Sequence, residues 1–150
     1  MKTKVYLLVA LFCLPFSMLA QKKDTLKLSC PLNDAVEPPA EKQPYSLGIP
    51  DVKIILTSPT DTTVKAVIAG TITNVMRDEE GKWQIIFYNK DYYFWYSGIS
   101  RSAVSKGQKL QNGQAIGYIQ PGQKIELKVY DFETPLDPKK YLNCWKVNSQ

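Results

Sequence analysis

Histidine is absent from the 150 residues of this chain. Without histidine, catalysis by Ser-His-Asp or Cys-His groups is excluded, and so is every metal site that needs an imidazole ligand. Any enzymatic chemistry would therefore have to use carboxylates, lysine, tyrosine or serine.

Long hydrophobic runs are scarce as well, and the clearest one lies near the amino terminus, at residues 5–14. Lys2 and Lys4 precede or flank this run, and residues 15–20 end in the small Ala20. This pattern is typical of a secretory signal peptide, and the run is about half of the roughly 20 residues that span a bilayer. We expect residues 1–20 to be removed during export to the periplasm or the cell exterior, leaving no transmembrane segment; an uncleaved anchor is the alternative.

Cysteine is also scarce, with 3 in the chain. If residues 1–20 are removed, Cys13 goes with them, and Cys30 and Cys144 remain near the two ends of the mature chain. An even number of cysteines in an exported chain predicts a disulfide between Cys30 and Cys144. Two buried free thiols are the alternative.

Positive charge is in modest excess. The formal net charge is +5, and the loss of Lys2 and Lys4 lowers it to +3. This balance is too small to indicate a nucleic-acid partner, so none is expected. The apolar fraction of 44% is ordinary for a globular protein.

Prolines are concentrated in residues 21–50, which contain five of the ten in the chain. X-Pro steps favour extended backbone, so we expect an extended amino-terminal arm over 21–50 with one short strand at 25–30. Cys30 would fasten this arm to a domain that occupies residues 51–150.

Helical periodicity is missing too: no segment shows a long 3.6-residue apolar period, so little helix is expected. Short stretches rich in β-branched or aromatic residues recur instead, separated by glycine turns and by the hairpin signal Asn89-Lys90-Asp91. We therefore expect an all-β, mainly antiparallel fold of the sandwich or barrel type. The predicted strands are 52–56, 64–68, 70–76, 83–88, 92–96, 115–119 and 124–130.

The dipeptide Gly-Gln occurs three times, at Gly107-Gln108, Gly113-Gln114 and Gly122-Gln123. Glycine permits the positive φ that many turns require, so each pair predicts a turn. A phosphate-binding loop is excluded because no helix follows to supply an anion-binding N-terminus.

Four stretches of the chain together resemble one family. They are Ser58-Pro59 followed by VKAVIAGTI at 64–72, YSGIS at 96–100, VSKGQKLQNGQAIGYI at 104–119 and PLDPKKYL at 135–142. In this order and spacing they are similar to stretches of the lysostaphin-type (LytM-like) peptidoglycan endopeptidases. The resemblance implies a compact β domain, a hybrid of sandwich and barrel, with a groove across one sheet.

Active members of that family bind zinc through an H-x-x-x-D stretch and the second histidine of an H-x-H stretch, and they use the histidine of Y-A-H-L-S in catalysis. The corresponding positions of this chain hold other residues, namely Asp51 and Ile55, Lys124 and Glu126, and Gly98. A catalytic zinc needs three protein ligands beside its water, and two carboxylates are too few. The resemblance therefore implies a degenerate relative with no zinc, no cofactor and no peptidase activity.

Two further predictions concern the same groove. Lys124 and Glu126 have equal strand parity, and we expect an ion pair of Lys124 with Asp51 or Glu126 in place of the metal; solvated charges on an exposed face are the alternative. Phe94 and Tyr96 share a strand face and are predicted to line the groove as binding residues, together with Lys124 and Glu126. For these aromatic residues, packing in the sheet core is the alternative.

The sequence thus predicts an exported, non-catalytic domain that binds a cell-wall peptide or an envelope protein such as a cell-wall hydrolase. The alternatives are a residual hydrolase with Asp51 and Glu126 as acid and base, and a purely structural envelope component. A biotinyl- or lipoyl-type carrier domain has a similar glycine pattern, but no lysine motif of the kind that carriers modify lies between Gly70 and Leu110. The oligomeric state stays open.

Overall fold

The computed structural model describes residues 25–39 and 51–145. The predicted signal peptide at 1–20, and residues 40–50 of the predicted arm, lie outside the described residues. Among the residues that are described, we find no helix with the length and apolarity that a membrane crossing requires.

The regular structure of the described residues consists of ten strands and a single-turn 3-10 helix at Pro138–Lys140. The strands are β1 Ile54–Leu56, β2 Thr63–Lys65, β3 Gly70–Arg77, β4 Trp83–Asn89, β5 Tyr92–Ile99, β6 Arg101–Ser102, β7 Lys109–Leu110, β8 Ala115–Tyr118, β9 Ile125–Asp131 and β10 Thr134–Leu136.

These strands form two sheets. The larger sheet has the order β1-β9-β5-β4-β3-β7, with β10 also paired to β9, and the smaller sheet has the order β2-β8-β6. Every pairing between these strands is antiparallel. The prediction of an all-β, mainly antiparallel fold is therefore confirmed, and the sheet order is that of two open sheets and not of a closed barrel.

The core lies between the two sheets and depends on strand alternation. Phe87 of β4 and Phe94 of β5 are fully buried, and their ring centroids lie 4.9 Å apart. Tyr96, two residues beyond Phe94 and on the same face, is fully buried as well and stacks on Phe87 at 5.9 Å. The prediction that Phe94 and Tyr96 line an open groove is therefore wrong, because the period of two residues along β5 turns both rings into the core.

Tyr96 also links the two sheets through its hydroxyl group. The hydroxyl donates a hydrogen bond to the carbonyl of Lys65 and accepts one from the backbone N–H of Val67, each at 3.1 Å. Burial raises the pKa of the Tyr96 phenol, so the hydroxyl stays protonated and keeps its role as donor. A buried hydroxyl with both partners in place costs little to bury.

The described part of the arm packs into the core instead of forming a strand. Within the predicted strand 25–30, the structure has one isolated bridge, a parallel pairing of Leu28 with Leu142. Leu28 and Leu32 are nearly fully buried. The predicted disulfide between Cys30 and Cys144 is confirmed, and it joins the arm to the end of the domain.

Each Gly-Gln pair closes a turn, as predicted. Gly107, Gly113 and Gly122 have φ values of 86°, 78° and 76°. In each turn the glutamine side chain that follows accepts a hydrogen bond from the backbone N–H three residues earlier. The glutamine thus reinforces the turn that the glycine permits.

Candidate functional site

The structure brings the five positions of the predicted site together where β1, β5 and β9 run side by side. Ile55 of β1 pairs with Glu126 of β9, which pairs on its other side with Ser97 of β5. Gly98 follows Ser97 and lies against the backbone of Lys124. Asp51, just before β1, reaches the same region through the ion pairs described next.

Four charged side chains form an ion-pair cluster at this point, which we call the ionic cluster. The Lys53 ammonium lies 3.0 and 3.1 Å from the two carboxylate oxygens of Glu126 and 3.4 Å from Oδ2 of Asp51. The Lys128 ammonium lies 2.9 Å from Oδ1 of Asp51. Lys53 and Lys128 thus bind the two carboxylates, a pair of lysines that the sequence analysis did not name, while the pairing of Lys124 with Asp51 or Glu126 stays a prediction.

Strand parity explains this set of partners. Lys53 lies two residues before Ile55, and Lys128 lies two residues after Glu126, so all four side chains project from one face. Because Ile54 pairs with Leu127, Lys53 and Lys128 come opposite one another across the strand pair. The sequence contained this signal, since both lysines have the parity of the predicted site.

Each charge in the ionic cluster stabilises its neighbours. The hydrogen bond from Lys128 and the nearby charge of Lys53 hold the pKa of Asp51 below its ordinary value, although partial burial acts in the other direction. Partial burial lowers the pKa of Lys53, but the Glu126 and Asp51 carboxylates outweigh it and raise that pKa. Asp51 and Lys53 therefore stay charged at neutral pH.

We expect the Asp51→Asn variant to lose less stability on acidification than the wild type. The pKa of Asp51 is lowered in the folded chain from its ordinary 3.8, so the contribution of this carboxylate is complete above that value and is lost as the pH falls through the folded pKa. Urea unfolding at about pH 6 and at about pH 3 would measure the loss.

The control for that experiment is Glu79→Gln, which changes an exposed carboxylate in the turn before β4. It should leave the acid loss close to that of the wild type. An equal acid loss in Asp51→Asn and the wild type would contradict the role assigned to the ionic cluster.

The ionic cluster does not fit the zinc that active members of the resembled family bind. The side chain of Ile55 is a hydrocarbon and cannot ligate a metal, and the Asp51 and Glu126 carboxylates are bound to ammonium groups. A cation would have to displace these ammonium groups from the carboxylates against like-charge repulsion. Across the described ranges 25–39 and 51–145, no three His, Cys, Asp or Glu side chains lie together as a ligand group.

Gly98, at the position that the resemblance assigns to the family's catalytic histidine, lies where the backbone leaves little room for a side chain. Gly98 has φ of 84°, and a Cβ atom built there would lie 2.8 Å from the carbonyl oxygen of Lys124. The Gln123 side chain closes over this point: its amide donates to the Gly98 carbonyl, and its Oε1 accepts from the Ser100 hydroxyl at 2.7 Å. The strand backbone at Gly98 and the neutral amide of Gln123 therefore fill this point, which is where the resemblance predicts the position of the family's catalytic histidine.

An aromatic pocket of about 610 Å³ lies beside the ionic cluster on the outer face of the larger sheet. The described residues that line it are Ile86, Tyr93, Trp95, Tyr130, Phe132 and Glu133. Sequence reasoning missed this pocket because it assigned the groove to the other face of β5. The signal was present: when five aromatic residues follow one another in a strand, as at 92–96, one face of the set must point outwards.

Comparison with known proteins agrees with this geometry. The profile of peptidase family M23 matches residues 53–138. No curated protein matches the chain significantly in sequence.

Several solved structures are similar in fold. Csd3 of Helicobacter pylori is 19% identical with a TM-score of 0.61, and the match covers 79% of this chain and 33% of Csd3. A chain of the SpoIIQ–SpoIIIAH pore-forming complex is 17% identical with a TM-score of 0.62, and the match covers 79% of this chain and 92% of that one. Lysostaphin, an antimicrobial peptidase from Staphylococcus simulans, is 22% identical with a TM-score of 0.55, over 71% of this chain and 50% of lysostaphin.

Proposed function

Because the chain belongs to peptidase family M23, we propose that it uses the peptidase fold for binding in the cell envelope and not for hydrolysis. The observation that carries this proposal is the ionic cluster, in which Lys53 and Lys128 hold the carboxylates of Asp51 and Glu126. Ammonium groups thus occupy the place where a metallopeptidase of this fold needs a metal.

Zinc-dependent hydrolysis makes two demands that these residues do not meet. The metal must be held by three protein ligands so that its bound water loses a proton near neutral pH, and a nearby side chain must move protons. Ile55 and the lysine-bound carboxylates fail the first demand, and Gly98 fails the second.

The arrangement also argues against a residual hydrolase. Such an enzyme needs one protonated and one ionised carboxyl group. The hydrogen bond from Lys128 and the nearby charge of Lys53 hold the pKa of Asp51 below its ordinary value, so Asp51 does not keep the proton that a general acid needs. Both carboxylate oxygens of Glu126 accept hydrogen bonds from the Lys53 ammonium and so face an internal partner instead of a substrate.

A binding role is supported by the aromatic pocket beside the ionic cluster and by the fold likeness to a chain of the SpoIIQ–SpoIIIAH complex. The proposed partner is an envelope protein or a cell-wall peptide. Export rests on the amino-terminal pattern of residues 1–20 and is part of the same proposal.

We expect the purified chain to bind no zinc in stoichiometric amount and to release no peptide from cell walls. The tests are metal analysis after incubation with zinc, and a cell-wall digestion assay with lysostaphin as the positive control. Retention of an envelope protein or of peptidoglycan in a pull-down would support binding. Stoichiometric zinc together with chelator-sensitive digestion would overturn the proposal.

A further inference from the structure

Two aromatic rings that border the aromatic pocket are exposed to solvent. Tyr93 is 39% exposed and Phe132 is 65% exposed, and both rings border the same cavity. Trp95 and Tyr130 complete the aromatic lining from neighbouring strands. A concave site lined mainly by aromatic and apolar side chains, with a few polar groups, is the usual form of a ligand site.

Phe132 is held in a backbone conformation that carries a cost. It lies in the turn between β9 and β10 with φ of 52°, and its N–H donates to the Asp91 carbonyl at 2.9 Å. A bulky residue with positive φ is an outlier, and a glycine would fit the turn with less strain. Since the Phe132 ring is mostly exposed, core packing does not offset this strain, and the strain points to a ligand role.

The chemistry of the lining favours a cation. Among the described lining residues, the charged one is Glu133, whose carboxylate is negative. The faces of aromatic rings also attract cations. The Lys128 ammonium already lies 5.9 Å from the centre of the Trp95 ring, so one ring of the pocket faces a cation in the folded chain.

We propose that the aromatic pocket binds a lysine or arginine side chain of a partner peptide segment, with the rings of Tyr93, Trp95 and Phe132 around the cation and Glu133 as its counter-charge. This inference rests on the proposed binding role and names the chemistry of the partner. The proposed site lies beside the ionic cluster. The carboxylates of that cluster, Asp51 and Glu126, already bind Lys53 and Lys128.

The test uses the full disulfide-bonded chain and three capped tripeptides, Ac-Gly-Lys-Gly-NH2, Ac-Gly-Arg-Gly-NH2 and the uncharged norleucine analogue. Binding is followed by NMR through the indole N–H signal of Trp95. The lysine and arginine peptides are expected to shift this signal and to bind about tenfold more tightly than the norleucine peptide.

Variants locate the site. Phe132→Gly and Glu133→Gln should each weaken the binding of the lysine peptide by about tenfold, while Phe132→Gly should also raise the midpoint of thermal unfolding because it relieves backbone strain. Tyr118→Ala, an aromatic change on the smaller sheet, and Glu79→Gln are matched controls that should leave binding unchanged.

Three results would overturn the inference: equal binding of the lysine and norleucine peptides, a shift produced by N-acetylglucosamine oligomers but by neither charged peptide, or no shift with any probe. Failure of the proposed function is a separate outcome. Chelator-sensitive hydrolysis of cell walls would overturn the non-catalytic role and leave the binding of charged peptides to the aromatic pocket unaffected.

Discussion

Removal of the disulfide between Cys30 and Cys144 is expected to lower the free energy of unfolding by about 4 kcal/mol. The bond joins residues separated by 114 positions, so its loss releases almost the whole domain to a larger unfolded ensemble. The chain-entropy model gives a large stabilisation for such a long loop, and residual structure in the unfolded chain reduces it somewhat. Urea unfolding of the Cys30→Ser/Cys144→Ser double variant, beside the reduced wild type, would measure it.

A second contact between the arm and the end of the domain provides a control. Lys139 and Glu37 form an ion pair, but both side chains are exposed. Lys139→Met should therefore change the free energy of unfolding by less than about 0.5 kcal/mol. A loss below about 1 kcal/mol in the cysteine double variant would show that Leu28 and Leu32 hold the arm without covalent help.

The strands that sequence reasoning located best are β4 and β5. Their apolar alternation is strong, and Lys90, in the turn that joins them, has the positive φ that the turn signal implies. Local signals were sufficient here because both strands are long and the turn between them is short. Helix content was also correctly predicted to be low, since periodicity is a property of the sequence itself.

The strands that were missed are short and depend on distant partners. β6 has two residues and pairs with β8, while β10 has three and pairs with β9. Neither is long enough to show a period of two. The predicted strand at 25–30 did not form, for a related reason. An alternating segment becomes a strand only when a neighbouring strand supplies a continuous ladder of hydrogen bonds, and Leu28 has a single isolated bridge.

The residues of the predicted site show the same difference between local and non-local signals. Motif spacing placed Asp51, Ile55 and Glu126 in one region, and the structure brings them together. Lys53 and Lys128 were not named as partners of the carboxylates because cross-strand register decides which ammonium reaches which carboxylate, and register is not visible in a single strand. The predicted orientation of the aromatic rings at 92–96 was wrong for the same reason. Parity shows which rings lie on the same face of β5, but it does not show which face points into the core.

Substitution of Gly98 by alanine is expected to lower the free energy of unfolding by about 3 kcal/mol, from two separate causes. The residue has φ of 84°, which costs any side chain, and the added Cβ would lie 2.8 Å from the Lys124 carbonyl oxygen. Because the obstacle is backbone and not a flexible side chain, β5 or β9 must shift to relieve it.

Gly107→Ala separates these causes. Gly107 has φ of 86°, close to that of Gly98, but a Cβ built there meets nothing within 4 Å. Its substitution should cost about 1 kcal/mol, the conformational part alone. The difference between the two variants in urea unfolding therefore measures the cost of the close approach between Gly98 of β5 and the Lys124 carbonyl just before β9.

The outcome bears directly on whether the backbone at Gly98 could carry the histidine that the resemblance assigns to this position. If Gly98→Ala costs much more than Gly107→Ala, a histidine at Gly98 would disrupt the pairing of β5 with β9. If the two variants cost the same, the backbone at Gly98 accepts a side chain. Under the proposed non-catalytic role, the main obstacle to a metal site would then be the ionic cluster of Asp51, Lys53, Glu126 and Lys128.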